Sequence, residues 1–120
     1  MDPEEIEHFK KLLLDEKTRL TESIQRHIKE LQKLTAEESG ENVYSDHMAD
    51  MALLSRIKER KAGVIQKEWK LLKEIEDALM RIEQGRYGIC ELCGNPIEKE
   101  RLEIVPYTRY CSSCGRKVGG

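Results

Sequence analysis

Apolar residues along this chain fall into two stripes of helical period. Ile6, Leu13, Leu20, His27 and Leu34 recur every seven residues, with Phe9, Ile24, Ile28 and Leu31 between them. A helix brings a side chain back to the same face every three or four residues, so this spacing predicts one amphipathic helix of about 34 residues. Its start is marked by Asp2-Pro3-Glu4-Glu5: an N-cap candidate, a proline at the first helical position, and a carboxylate three residues after the cap. Leu54, Ile57, Val64, Ile65, Leu71, Leu72, Ile75, Leu79 and Ile82 form the second stripe and predict a helix from about Met48 to Gln84. Between the two, Glu37-Glu38-Ser39-Gly40-Glu41-Asn42 breaks the pattern with polar residues and a glycine suited to a helix C-terminus. Neither helix can bury its stripe alone, so a short link between them predicts an antiparallel helical hairpin, or coiled coil. Each arm would be ~50 Å long at the helical rise per residue. Gly63, inside the second helix, costs about 1 kcal/mol relative to alanine.

Helical periodicity ends at Gln84-Gly85, where glycine, proline and cysteine take over. Residues 1–84 are therefore read as the hairpin and 85–120 as a separate module. All four cysteines lie in that module, as Cys90-Glu-Leu-Cys93 and Cys111-Ser-Ser-Cys114, with seventeen residues between the pairs. A two-residue gap lets neighbouring thiolates converge on one ion from a tight turn, and two such pairs complete the tetrahedral shell that zinc prefers. Gly94 and Gly115 follow the pairs, where a backbone without Cβ can take positive φ, and Asn95-Pro96 adds turn chemistry at the first knuckle. Disulfides would suit a secreted chain, and a redox Cys-x-x-Cys would need a βαβ setting that the pattern lacks. Four thiolates leave no open position, so the expectation is one structural Zn2+ on Cys90, Cys93, Cys111 and Cys114. The fold class expected is mainly α: a long antiparallel hairpin followed by a small four-cysteine zinc finger.

Composition agrees with elongated helices rather than a large core, since 37% of residues are charged and 38% hydrophobic. No apolar run approaches a membrane span and no signal-peptide pattern follows Met1, so with reduced thiols the expected compartment is cytoplasmic. The net charge is only −2, but it is unevenly placed. Glu37, Glu38, Glu41, Asp46 and Asp50 fall in a stretch without lysine or arginine, which makes the hairpin's tip, near residues 37–50, acidic. From Arg56 to Lys73 basic residues prevail, making the shaft basic. A solvated surface with helix-pair charges is the simpler account of both. An acidic tip could also reach into a basic or metal-containing cavity, and a basic shaft could hold an acidic rim or a phosphorylated ligand.

Gly85-Arg-Tyr-Gly-Ile-Cys90-Glu-Leu-Cys93-Gly-Asn-Pro-Ile97, then Arg101-Leu102, Pro106 and Cys111-Ser-Ser-Cys114, resembles the zinc finger of the DksA/TraR family of bacterial RNA-polymerase-binding transcription factors. The long helical hairpin before it is similar as well. The resemblance implies a protein that binds RNA polymerase without DNA, inserts the hairpin into the secondary channel, and brings the tip near the active-site magnesium. It implies control of initiation at selected promoters, commonly together with guanosine tetraphosphate. The family's tip motif, Asp-x-x-Asp-x-Ala, is matched in its second half by Asp50 and Ala52, while its first aspartate falls on His47 with Asp46 one place earlier. Asp50, Ala52 and Asp46 are thus the tip candidates, and Arg60 and Lys67 the shaft candidates for holding polymerase. Helix capping is the structural alternative for both aspartates. Glu74 and Gly115 stand where basic residues for the alarmone would be expected.

Other residues read more simply. His8 and His27 are packing or surface residues of the first helix; Phe9, Trp69 and Met80 are packing residues; Arg86, Arg101, Arg109, Arg116 and Lys117 serve solubility. No nucleophile arrangement or phosphate-cradling loop is evident, so an enzyme is not expected. A zinc-ribbon nucleic-acid binder is opposed by the pI of about 6.0 and the acidic tip. A coiled-coil adaptor for another protein is the third reading.

Overall fold

The computed structural model describes residues 1–39 and 48–119, with side chains described for 1–35 and 51–119. Its elements are α1 (Pro3–Ser39), α2 (Met48–Glu83), α3 (Lys99–Ile104) and α4 (Ser112–Lys117). The start of α1 is a reciprocal cap: Glu5 N–H donates to Asp2 Oδ1 at 2.8 Å, and Asp2 N–H donates to Glu5 Oε1 at 3.1 Å. At its other end α1 runs further than expected, taking in Glu37, Glu38 and Ser39. Alanine and glutamate are strong helix formers, and neither breaks a helix because it is polar. Gly40 to His47, and with them Glu41 and Asp46, lie outside the described residues.

The chain forms two compact units. In the unit of Leu20–Leu71, α1 and α2 run antiparallel, since later positions on one meet earlier positions on the other. The Ser23 hydroxyl donates to Glu68 Oε2 at 2.5 Å, His27 Nδ1 lies 2.7 Å from Glu68 Oε1, and Lys61 pairs with Glu30. Leu20, Ile24 and Ile65 are buried between the helices. Burial opposes ionisation of Glu68, but hydrogen bonds from Ser23 and His27 outweigh it and hold the carboxyl below its usual range. Two expected packing positions face outward instead: Val64 is 41% exposed and Trp69 52%. Consecutive helical residues point about 100° apart, so Ile65 and Glu68 take the inward directions that Val64 and Trp69 would have needed.

The other unit joins Met1–Arg19 to Leu72–Gly120. Phe9 and Leu13 of α1 are buried with Leu72, Ile75 and Ala78 of α2 and with Tyr87, Ile97 and Leu102 beyond it. Phe9 and Tyr87 have ring centroids 6.0 Å apart. Ion pairs of Lys17 with Glu76 and Lys99 with Glu5 add to this unit, and His8 Nε2 lies 2.6 Å from Glu103 Oε1. Met80, expected to pack, is 54% exposed, because Ala78 and Arg81 hold the buried places on that turn. No helix among the described residues is long and apolar enough to cross a membrane.

Candidate metal centre

Two different local structures present the four cysteines. The first knuckle is a tight hairpin, closed by Ile97 N–H to Gly88 O at 2.8 Å, Cys90 N–H to Asn95 O at 2.9 Å, and Gly94 N–H to Cys90 O at 2.9 Å. Gly94 turns the chain at φ 76°, a left-handed conformation that a Cβ would disfavour. The second knuckle is the first turn of α4: Cys111 is its N-cap and Cys114 lies one turn on, with Gly115 N–H donating to Cys111 O at 2.8 Å. Gly115 is therefore helical and buried, not a positive-φ turn residue as the spacing suggested; the chain reverses hand only at Gly119, φ 73°.

The segment that delivers Cys111 has no sheet to satisfy its backbone, and side chains from elsewhere do so. Tyr87 Oη donates to Pro106 O at 2.7 Å, Arg101 Nε to Tyr110 O at 2.8 Å, and Arg81 Nη2 to the carbonyls of Tyr107 and Thr108 at 3.3 and 3.4 Å. Glu98 accepts the Ser112 N–H at 3.2 Å. Arg109 reaches the opposite way, to Glu74 at 3.0 Å, Asp77 at 2.6 Å and Glu91 at 3.4 Å. Arg101 and Arg109 are thus structural ties and not merely solubilising charges. Arg81, only 4% exposed, is the buried cation that periodicity could not reveal, since its position continues the apolar stripe of α2. Burial lowers its pKa below the arginine norm, and Nη1 has no hydrogen-bond partner.

All four sulfur atoms lie within 4.8 Å of one another, and Cys93 and Cys111 Sγ are 3.8 Å apart. A tetrahedral zinc with Zn–S bonds of ~2.3 Å requires ligand sulfurs about 3.8 Å apart, so the cluster is already at the right size. Its electrostatics call for a cation. The Cys111 thiol, burial and the other two sulfurs push Cys114 up to about 12. Burial also opposes ionisation of Cys90, yet backbone N–H groups of Cys93, Cys111 and Leu92 bring it down to about 6. A divalent ion would let all four ionise together. His8 and His27 are engaged elsewhere, and this cysteine cluster is the metal-ligating group among the described residues.

The remaining described candidates belong to the Leu20–Leu71 unit. Asp50 is in the first turn of α2, Ala52 is exposed just after it, Arg60 and Lys67 are exposed on the same helix, and Asp46 is outside the described residues.

Residues 85–118 match the model of the prokaryotic dksA/traR C4-type zinc finger. Together with the cysteine geometry, this makes the centre a site for one structural zinc. An uncharacterized protein of Aquifex aeolicus is 37% identical over 120 residues, covering 98% of this chain and 79% of that one. The RNA polymerase-binding transcription factor DksA of Caulobacter vibrioides is 33% identical over 106 residues, covering 88% of this chain and 70% of its own. Among solved structures, transcription factor DksA2 from Pseudomonas aeruginosa superposes with a TM-score of 0.85 at 28% identity, over 99% of this chain and 86% of that one.

Proposed function

This chain belongs to the DksA/TraR family, and from that premise we propose that it binds bacterial RNA polymerase directly and regulates the initiation of transcription. The observation that carries the reading is the likeness over 88% of the chain, helices and finger together, to a protein named for polymerase binding, and over 99% of it to a solved transcription factor. A zinc ribbon alone would support any of several partners. The zinc in this reading is structural: Cys90, Cys93, Cys111 and Cys114 would hold it, and it supplies the folding free energy that so small a module lacks. The activity is regulatory rather than catalytic and belongs in the cytoplasm.

The finer mechanism follows the same proposal. The helical hairpin enters the secondary channel, Asp50 and Ala52, with Asp46, act near the catalytic magnesium, and Arg60 and Lys67 help to hold the enzyme. A carboxylate suits the effector role because it can engage a basic catalytic side chain or a magnesium-bound water. Response to guanosine tetraphosphate is expected to be weak, since Glu74 occupies one expected basic position and is tied to Arg109. The test is retention of RNA polymerase core by the purified zinc-loaded chain, followed by open-complex lifetime with and without the tetraphosphate. A chain that retains no core and leaves lifetimes unchanged sinks the proposal; a tetraphosphate effect of tenfold or more overturns the expectation drawn from Glu74.

A further inference from the structure

Arg109 stands two residues before Cys111 and bonds to both the first knuckle and α2. Its carbonyl accepts the Glu91 N–H at 2.9 Å, and its Nη1 lies 3.4 Å from Glu91 Oε2. Glu91 lies between Cys90 and Cys93, so this one pair of residues joins the two knuckles through backbone and side chain at once. Arg109 Nε donates to Glu74 Oε2 at 3.0 Å and Nη2 to Asp77 Oδ2 at 2.6 Å, both on α2. Three nitrogens thus meet three carboxylates, a division that the planar five-donor fork of arginine allows and the point charge of lysine does not. Bonding to Glu74 outweighs partial burial and holds the Arg109 pKa above the arginine norm. Tyr87, Arg81 and Arg101 also bond to carbonyls of the segment leading to Cys111; Arg109 adds the first knuckle to the same assembly.

We propose that Arg109 is a positioning residue of the zinc centre, and that Glu74 and Asp77, carboxylates of α2 that are not metal ligands, raise the chain's affinity for zinc through it. The inference rests on the cysteine centre and is independent of the polymerase reading. A metal site built from two separate turns is costly, because both must be ordered before four sulfurs can converge. Arg109 lowers that cost in advance: the Glu91 N–H fixes one turn against the segment leading into the other, and Glu74 and Asp77 fix that segment on a helix. Coupling between two sites is reciprocal, so whatever order a bound ion lends this network, the network returns as affinity for the ion. The four side chains are 27–40% exposed, so salt screens the network in part and each carboxylate's share should be modest.

The experiment measures zinc affinity of the full reduced chain by competition with a chelator, at low and high salt. At low salt Arg109→Gln should weaken zinc binding about tenfold and Asp77→Asn about threefold, and each ratio to wild type should shrink toward one at ~1 M salt. Asp77→Asn made in the Arg109→Gln background should add no further loss. Arg109→Lys should fall between wild type and Arg109→Gln, since one ammonium cannot serve three carboxylates. Glu76→Gln removes the neighbouring carboxylate of α2, which pairs with Lys17 instead, and should bind zinc as wild type. Asp77→Asn keeps the size of a partly exposed side chain, so it tests the inference even if Arg109→Gln does not fold. Wild-type zinc affinity in Asp77→Asn, an equal loss in Glu76→Gln, or additive losses in the double variant overturns the inference.

Discussion

Gly88 and Gly63 show how far the environment of a single residue decides the effect of the same added methyl group. Gly88 is buried, sits at φ 80°, and a Cβ there would run into the Met1 methyl group. Met1 is the far end of a flexible side chain and can move, so the left-handed backbone sets the cost. Gly88→Ala should lose about 1–2 kcal/mol. Gly63 is interior to α2, and a Cβ there meets nothing within 4 Å. Gly63→Ala should gain about 0.5–1 kcal/mol by removing backbone freedom from the unfolded chain without strain in the folded one. Denaturant melts of the two variants check both signs; a stabilised Gly88→Ala or a destabilised Gly63→Ala would show that packing absent from this structure decides these sites.

Between α1 and α2, burial rather than backbone conformation sets the stability. Leu20 is 8% exposed, and Leu20→Asp would put a charge among apolar side chains with no partner placed for it; the loss should be about 3 kcal/mol or more, seen as a large drop in melting midpoint. The finger depends on its ion instead. Chelation of zinc should melt the segment from Gly85 onward and leave much of the helical signal, because its buried apolar residues are few and four clustered thiols repel once ionised. Retention of finger structure in a metal-free, reduced sample would contradict this. The helices were legible because apolar residues every three or four positions can serve only one regular structure, and the zinc centre because two Cys-x-x-Cys pairs leave few alternatives. What periodicity could not assign was direction at the edge of a stripe: Val64 and Trp69 sit beside inward residues and were displaced by them. Nor could it assign polar ties. Whether Arg109 meets solvent or Glu74, Asp77 and Glu91 depends on residues 18 or more positions away, and Arg81 lies in an apolar register that gives no sign of a buried guanidinium.

For the molecule as a regulator, gripping the enzyme and altering its chemistry are separable tasks, because a contact changes an equilibrium only by its differential affinity for the states involved. Arg60 and Lys67 are exposed along α2, whereas Asp50 lies in its first turn. Asp50→Asn preserves size and removes one charge, and a polar residue remains near the helix start, so folding should be unaffected. If Asp50 acts near the catalytic magnesium, this variant should bind RNA polymerase core within a few-fold of wild type yet lose most of the effect on open-complex lifetime. Arg60→Glu with Lys67→Glu should do the reverse at matched occupancy: binding weakens through loss of the positive field, while the effect per bound molecule persists. Measuring affinity and lifetime on the same preparations separates the two tasks. Full regulation by Asp50→Asn would move the effector role to Asp46 or away from this segment, and loss of binding without loss of effect per complex would make Asp50 part of the grip.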